Sequence, residues 1–300
     1  MARSYKSIYS ALFANLFIAV TKFIAGAVSH SSAMIAEGIH SVVDTVNELL
    51  LLYGIKKSIK PADEKRPFGY GREIFFWSFL VSIIIFGLGG GISVYQGITH
   101  ILHPEPLGDP FWNYIVLAAS VVFEGTSFII AAKEFNKVRE HLSWWQAIRQ
   151  SKDPSLFVVL FEDGAAVLGL TAVIICVFLG HTLHNVYLDG VASLIVGLLL
   201  VAASIVLARE SRSLLMGEGI KTTTQKSIMS IIENDTSDSK MAWVFSIYTS
   251  PEKVLLILTI QFKIAISTYE LKNAIKRIRD RIQNEFPVIR YVIIQPEFAE

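Results

Sequence analysis

Cysteine and charge are both scarce in this sequence of 300 residues. The single cysteine, Cys176, excludes an intrachain disulfide framework and a Cys-x-x-Cys metal site. Charged residues make up 18% of the chain, against about a quarter in a typical soluble domain, and 52% of the residues are hydrophobic. This composition excludes a disordered chain and a single soluble domain. The net charge of +1 gives no reason to expect a nucleic-acid partner.

The few charges are concentrated near the end of the chain. Residues 211–300 carry 22 of the 53 charged residues, although they are less than a third of the sequence. Residues 1–210 therefore have the composition of a lipid-embedded domain, and the remainder has that of a soluble one. For this reason we place the boundary between the two domains after residue 210.

Six apolar stretches in the first domain are long enough to cross a bilayer, which takes about 20 residues. The first is too long for a signal peptide and five others follow it, so we interpret it as a true span. Lys and Arg occur before the first span, in the second–third and fourth–fifth connections and after the sixth, and the other three connections have none. Basic loops stay in the cytoplasm, so both termini are predicted to face it. The spans are residues 8–29, 33–54, 74–98, 111–132, 155–179 and 187–208.

The last part of the chain follows a different pattern. Runs with apolar residues at helical spacing alternate with β-rich runs, in the order helix, strand, strand, helix, strand. This αββαβ order predicts a small α+β module on the cytoplasmic side, with two helices covering one sheet. The predicted fold class is therefore an α-helical membrane protein of six transmembrane helices followed by a small α+β cytoplasmic domain. The runs are residues 221–234, 242–249, 253–264, 268–285 and 289–295.

Ionisable residues interrupt the apolar spans, although each costs about 2.5–3.5 kcal/mol inside a bilayer. Four of them lie in the second span at spacings of 3, 4 and 4, which places them on one stripe of the helix. Lipid cannot face that stripe, so it must face protein or a water-filled path. The fifth span adds the adjacent pair Glu162 and Asp163. The residues of the stripe are Glu37, His40, Asp44 and Glu48.

The combination of imidazole and carboxylates indicates a divalent metal site. His40 and Asp44 are separated by one helical turn, and the second helix brings a carboxylate pair, which is how helices build metal sites. Lys22 in the first span is expected to pair with an acid such as Glu37. Glu124 in the fourth span is a further intramembrane acid, to which the sequence assigns no role.

Three other uses of these residues stay open at this point. Chains of Asp, Glu and His also relay protons. An organic-cation site would need aromatic faces beside the acids, where these spans offer Phe157 and Phe161 but no Trp or Tyr. An intramembrane metalloprotease needs an HExxH motif, which the sequence lacks. Ser41 follows His40 directly, and adjacent residues do not face each other on a helix, so no enzymatic activity is expected.

Three motifs resemble the cation diffusion facilitator family, also known as the zinc transporter family. Ser32–Asp44 is similar to the family's helix-2 signature, which ends in HSxxD. Arg66–Arg72 resembles its basic helix 2–3 loop, and Asp189–Gly197 resembles the start of its helix 6. The stretch from Gly89 to Pro106 is similar to the branch that contains mitochondrial-type zinc transporters.

The resemblance implies a homodimer of six-helix protomers, a cytoplasmic domain that dimerises, and export of a divalent metal in exchange for protons. It also implies a transport site with two residues from helix 2 and two from helix 5. By position these are His40, Asp44 and Asp163, but Val159, four residues before Asp163, cannot bind a metal. Glu162 is the expected substitute, with a water molecule as the alternative. The predicted metal ligands are thus His40, Asp44, Asp163 and Glu162.

One imidazole with two or three carboxylates favours Zn²⁺. Mn²⁺, Fe²⁺ and Co²⁺ are alternatives with the same ligands, and a metal-gated cation channel is an alternative mechanism. The metal is the transported substrate, so no resident cofactor is expected. When the metal leaves, protons take its place on the same groups, which is the basis of antiport.

Three further expectations concern the last domain, two histidines of an outer loop and the segment before the first span. No histidine follows His184, so the last domain is expected to dimerise without a tight zinc pair. His100 and His103 are expected to contribute polarity to an outer loop. The segment before the first span is too short for a convincing organelle transit peptide, so we expect an integral protein of a bacterial inner membrane with cytoplasmic termini.

Overall fold

The computed structural model describes residues 5–104, 111–139, 142–235, 239–264 and 266–298. Pro106, at the end of the branch-like stretch, lies outside the described residues. The chain divides into two compact units. One contains the chain up to Lys56 together with Ile74–Arg212, and the other contains Lys57–Glu73 together with Ser213–Glu300.

The first unit is built of helices. Four of its helical stretches are long and apolar enough to cross a membrane by length and composition: Glu73–Leu102, Phe111–Lys137, Phe157–Leu183 and Tyr187–Met216. The predicted helical membrane domain is thereby confirmed. The helices are α1 (Tyr5–Ser29), α2 (Ser32–Ser58), α3 (Glu73–Ile84), a π-helical stretch (Ile85–Gly91), α4 (Ile92–Leu102), α5 (Phe111–Val138), α6 (Trp144–Gln150), α7 (Pro154–Leu183) and α8 (Tyr187–Met216).

The two remaining predicted spans correspond to α1 and α2. Within the described side chains, α1 contributes the apolar stretch Asn15–Ser29, which is shorter than a full span. Helix α2 carries the charged stripe, which lowers its apolar character. The count of six crossings therefore stays a prediction, and the four apolar helices are the part that the structure supports directly.

An aspartate from another helix starts α2. Asp189, near the beginning of α8, accepts hydrogen bonds from the backbone N–H of Ser32 at 2.5 Å and of Ala33 at 3.2 Å. Its carboxylate also accepts from the hydroxyls of Ser31 and Ser32. A carboxylate at a helix N-terminus satisfies free N–H groups and complements the helix dipole. Asp189 thereby fixes the N-terminus of α2 and, with it, the position of the stripe.

Glycines allow the third and sixth predicted spans to pack closely. A Cβ atom at Gly97 would lie 2.7 Å from the backbone nitrogen of Leu194, and one at Gly197 would lie 2.6 Å from that of Val94. A Cβ atom at Gly90 would lie 2.6 Å from the side chain of Val201. These distances are too short for any side chain, so the contact between α4 and α8 depends on glycine, as is common between membrane helices.

The second unit contains a three-stranded sheet. Strands β1 and β2 pair antiparallel, while β2 and β3 pair in parallel through the crossover helix α10, as a parallel pair requires. A small sheet domain after the membrane helices is thus confirmed. Helix α9 packs on β1 and α10 on β3. The elements are α9 (Thr222–Glu233), β1 (Lys240–Ser250), β2 (Lys253–Phe262), α10 (Thr268–Glu285) and β3 (Ile289–Phe298).

Local signals explain the boundaries of α10. Ser267 accepts a hydrogen bond from the backbone N–H of Glu270, and the Glu270 carboxylate accepts from the backbone N–H of Ser267, which is a capping box. These hydrogen bonds hold the pKa of Glu270 below its ordinary value. Ala274, Ile278 and Ile282 form the buried face of the helix. Their spacing of four residues matches the amphipathic pattern of the sequence.

The connection between α2 and α3 belongs to the sheet unit. The sequence analysis places it within residues 1–210, but Lys57–Glu73 clusters with the chain that follows Arg212. The ring of Phe68 lies edge-on to that of Tyr291 at 5.8 Å, and the guanidinium of Arg72 donates to the carbonyl of Leu215. This connection therefore belongs with residues that are distant in the sequence. The distribution of charges along the chain cannot indicate such a long-range grouping.

We expect Ile278→Ala to destabilise the sheet unit by about 2–5 kcal/mol, because it removes a fully buried side chain from between α10 and the sheet. Hydrogen–deuterium exchange of the β2 amides in the full chain should accelerate by at least about tenfold. Lys276→Ala, at an exposed position of the same helix, is the control. Equal exchange in both variants would contradict the packing described for α10.

Candidate metal site

Four helices of the first unit meet at a small polar cavity. Its volume is about 50 Å³, enough for a few water molecules or a partly hydrated ion. Helices α1, α2, α5 and α7 all contribute to its wall. The lining residues are Asn15, Ile18, Ser41, Asp44, Phe123, Glu124, Ser127, Asp163 and Ala166.

Two of the predicted ligands face this cavity. Asp44 from α2 and Asp163 from α7 both line it, although 119 positions separate them in the sequence. The Oδ2 atom of Asp163 accepts a hydrogen bond from the hydroxyl of Ser127 at 2.8 Å. The Oδ1 atom of Asp44 is buried and accepts no hydrogen bond from the described residues. The cavity thus holds one carboxylate that is oriented by a hydroxyl and one with an oxygen available for a cation.

His40 lies beside Asp44 and is almost completely buried, with 1% of its surface exposed. Its Nδ1 atom is 3.3 Å from Oδ1 of Asp44, but neither ring nitrogen forms a hydrogen bond within the described part of the chain. A buried imidazole without partners costs free energy, so its position favours a ligand or a bound water. His40 does not line the cavity itself and reaches it through Asp44.

Glu162 points to a different set of partners than Asp163. The side-chain amide of Asn47 donates to its Oε1 atom at 2.7 Å. Its carboxyl group also lies within hydrogen-bonding reach of that of Asp44. Adjacent helical residues diverge by about 100°, so Asp163 faces the cavity while Glu162 faces Asn47. Glu162 is therefore joined to the predicted site through Asp44.

Glu124, to which the sequence assigns no role, also lines the cavity. The ammonium group of Lys22 is completely buried and donates to Oε1 of Glu124 at 2.8 Å, to Oε2 of Glu37 at 3.0 Å and to the hydroxyl of Ser41 at 2.9 Å. The expected pairing of Lys22 with Glu37 is present. The sequence does carry a signal for Glu124, because it is the only charged residue of the fourth predicted span.

The carboxylates around the cavity are spaced apart. Among the described residues, no three His, Cys, Asp or Glu side chains converge in the way that would hold a metal ion. The side chains of Asp44, Glu124 and Asp163 nevertheless line the same cavity.

The fold and the cavity define a class of protein: a helical integral membrane protein with a buried, carboxylate-rich polar site. Residues 8–216 match the family described as the cation efflux transmembrane domain. The chain belongs to the cation efflux family, which confirms the cation diffusion facilitator resemblance.

Similar proteins agree with this assignment and with the predicted branch. A mitochondrial proton-coupled zinc antiporter of Xenopus laevis is 37% identical over 216 residues, which are 71% of this chain and 39% of that protein. The human protein of the same name is 35% identical over 218 residues, covering 72% and 38%. A manganese efflux system protein of Bacillus subtilis is 28% identical over 219 residues, covering 70% and 68%. The match thus spans about two fifths of the mitochondrial relatives.

We expect Ser127→Ala to weaken Zn²⁺ binding by about 10–100-fold, because it removes the hydroxyl that orients Asp163. Titration of the purified full chain with Zn²⁺ measures this. The neighbouring Thr126→Val is the control, since the Thr126 hydroxyl donates to a carbonyl of its own helix. Equal affinities of the two variants would show that the contact between Ser127 and Asp163 does not matter for binding.

Proposed function

We propose that the protein is a secondary active transporter that exports a divalent transition-metal cation from the cytoplasm in exchange for protons, and that Zn²⁺ is the cation its donor atoms fit best. The observation that carries this proposal is the cavity lined by Asp44 and Asp163, with His40 against Asp44, inside apolar helices. The relatives named as proton-coupled zinc antiporters support it. We assign the metal to His40, Asp44 and Asp163, with Glu162 close by.

The donor atoms favour a borderline divalent ion. Carboxylate oxygen and imidazole nitrogen bind Zn²⁺ at about 2.0–2.2 Å in a tetrahedral arrangement. An ion held this way loses most of its water, and the two aspartates offset that loss with their charge. Thiolate plays no part, because the only cysteine, Cys176, does not line the cavity.

Protons compete with the metal for the same groups. Carboxylates gathered in a low-dielectric cavity cannot all stay ionised without a cation among them. When the metal leaves, protons bind in its place, and when the metal binds, protons leave. Because one set of side chains takes either cargo, exposing it to each side of the membrane in turn exchanges metal for protons.

Alternating exposure requires a membrane domain that rocks around the cavity. We propose six crossings, α1 and α2 included, with both termini in the cytoplasm where the basic loops lie. We also propose a bacterial inner membrane as the location, supported by a bacterial relative of similar length. The mitochondrial relatives make an organelle membrane the competing location.

A homodimer is the proposed assembly, and the sheet unit offers a surface for it. Trp243 and Phe245 on β1 are exposed and stack at 6.4 Å, and Ile293 on β3 lies in the same cross-strand row as Phe245. Large exposed apolar side chains on one sheet face are typical of an interaction surface. We place the dimer contact on this face of the sheet. The lipid bilayer is the other proposed partner of the protein, and it surrounds the helical unit.

We expect Phe245→Glu to shift the purified protein from dimer toward monomer, because it places a charge in the proposed interface. Size-exclusion chromatography with light scattering measures the change in mass. Tyr269→Glu, an exposed aromatic position on α10, is the matched control and should leave the mass unchanged. A dimer that survives Phe245→Glu would move the interface elsewhere.

Manganese export is the second candidate function. Three carboxylates and one imidazole around the cavity also suit Mn²⁺, which prefers oxygen ligands. The manganese efflux protein of Bacillus subtilis is among the similar proteins. A metal-gated channel is distinguished from both, since it would conduct down a gradient without any dependence on protons.

We expect proteoliposomes that contain the wild-type chain to move Zn²⁺ against a Zn²⁺ gradient when a pH gradient is imposed. Asp163→Asn should abolish this flux, because it removes a charge that both the metal and the proton need. Glu162→Gln tests the predicted fourth ligand. This substitution should lower the Zn²⁺ flux if Glu162 binds the metal directly. Failure of the wild type to move Zn²⁺, Mn²⁺, Fe²⁺ and Co²⁺ would overturn the transporter proposal.

A further inference from the structure

One face of α5 is directed at the cavity. Glu124 and Ser127 are three positions apart, which places them on the same side of the helix, and both line the cavity with Asp44 and Asp163. Ser127 already acts on this site, because its hydroxyl donates to Asp163 at 2.8 Å. Helix α5 therefore presents a carboxylate and a hydroxyl to the same space.

The carboxylate of Glu124 is anchored on one side only. Its Oε1 atom accepts a hydrogen bond from the buried ammonium group of Lys22 at 2.8 Å. Its Oε2 atom is buried and has no hydrogen-bond partner among the described residues. A buried carboxylate oxygen without a partner is costly. An anchored carboxylate with one open oxygen is oriented to bind a cation, as ligands held by a second contact are.

Lys22 is shared between two carboxylates. Its one ammonium group contacts Glu37 and Glu124 and can neutralise only one of them. Asp44 and Asp163 stand across the neighbouring cavity. Uncompensated charge inside a membrane domain is expensive, and a divalent cation in the cavity would offset it. Glu37 and Glu124 each have one buried oxygen without a partner among the described residues, but of the two only Glu124 lines the cavity.

Glu124 fits the missing ligand position better than Glu162 does. Glu162 is bound by the amide of Asn47 at 2.7 Å and does not line the cavity, whereas Glu124 does. We infer that Glu124 is a direct ligand of the transported divalent cation and supplies the carboxylate that Val159 cannot. Lys22 positions it. This inference rests on the proposed function, since it concerns the same site.

The ligand set then comes from three helices: Asp44 on α2, Glu124 on α5 and Asp163 on α7. His40 lies next to Asp44, with its Nδ1 atom 3.3 Å from Oδ1, and would add one nitrogen to these three carboxylates, which is a donor set that Zn²⁺ accepts. Because Glu124 is shared between Lys22 and the metal, the ammonium group keeps the carboxylate in place after the metal has left.

The test compares Zn²⁺ binding by the purified full chain carrying Glu124→Gln or Glu37→Gln. Each variant removes one carboxylate from Lys22 and leaves one ion pair, so both alter the network of Lys22 equally. Only Glu124 lines the cavity. We expect Glu124→Gln to raise the Kd for Zn²⁺ at least about tenfold and Glu37→Gln to change it by less than about twofold.

Equal effects of the two substitutions would overturn the inference, because Glu124 would then act only as a partner of Lys22. If Glu124→Gln does not fold, Glu124→Asp tests the ligand role instead. The shorter side chain keeps a negative charge near Lys22 but moves the carboxylate back from the cavity. A ligand role then predicts weaker Zn²⁺ binding and a changed visible spectrum of bound Co²⁺. An unchanged Kd and spectrum would contradict it.

Asp163→Asn separates this inference from the proposed function. Loss of Zn²⁺ binding in Asp163→Asn with equal, mild effects at Glu37 and Glu124 would overturn the ligand role of Glu124 and leave the transport site standing. A wild-type chain that binds none of Zn²⁺, Mn²⁺, Fe²⁺ and Co²⁺ would overturn both.

Discussion

The buried ammonium group of Lys22 is the interaction on which the polar interior of the helical unit depends. It is shielded completely and contacts two carboxylates and a hydroxyl from α2 and α5. Removing the ammonium group would leave two neighbouring carboxylates in a low-dielectric interior without their cation, which is strongly destabilising. Lys22 therefore joins α1 to α2 and α5 through polar contacts, and it does so directly beside the cavity.

The cost of burying charge is also the physical basis of the exchange proposed for the cavity. In the proposed mechanism, a cation or protons offset the cost of holding the carboxylates of Asp44, Glu124 and Asp163 together in an apolar surrounding. Two carboxylates are oriented by neighbours that stay in place, Ser127 for Asp163 and Lys22 for Glu124. Among the described residues these carboxylates line one cavity but do not converge on a single point.

Much of this was accessible from the sequence. The cost of charge in a bilayer predicted that α2 and α7 supply the site, and local spacing placed His40 and Asp44 on one helix face. The structure brings Asp44 and Asp163 to one cavity, and the metal ligands stay a prediction. The family match confirmed the class. Glu124 was not predicted, because which face of α5 meets α1 and α2 is decided by packing between distant helices. The connection Lys57–Glu73 was assigned by its place in the chain, whereas its contacts with Tyr291 and Leu215 are long-range.

The position of the bound metal tests the central claim most directly. A structure of the Co²⁺-loaded protein, with an anomalous difference map recorded at the cobalt edge, would locate the ion. We predict a peak within the cavity, at about 2.0–2.2 Å from carboxylate oxygens of Asp44 and Asp163. A peak confined to the sheet unit, or to another part of the helical unit, would contradict the account.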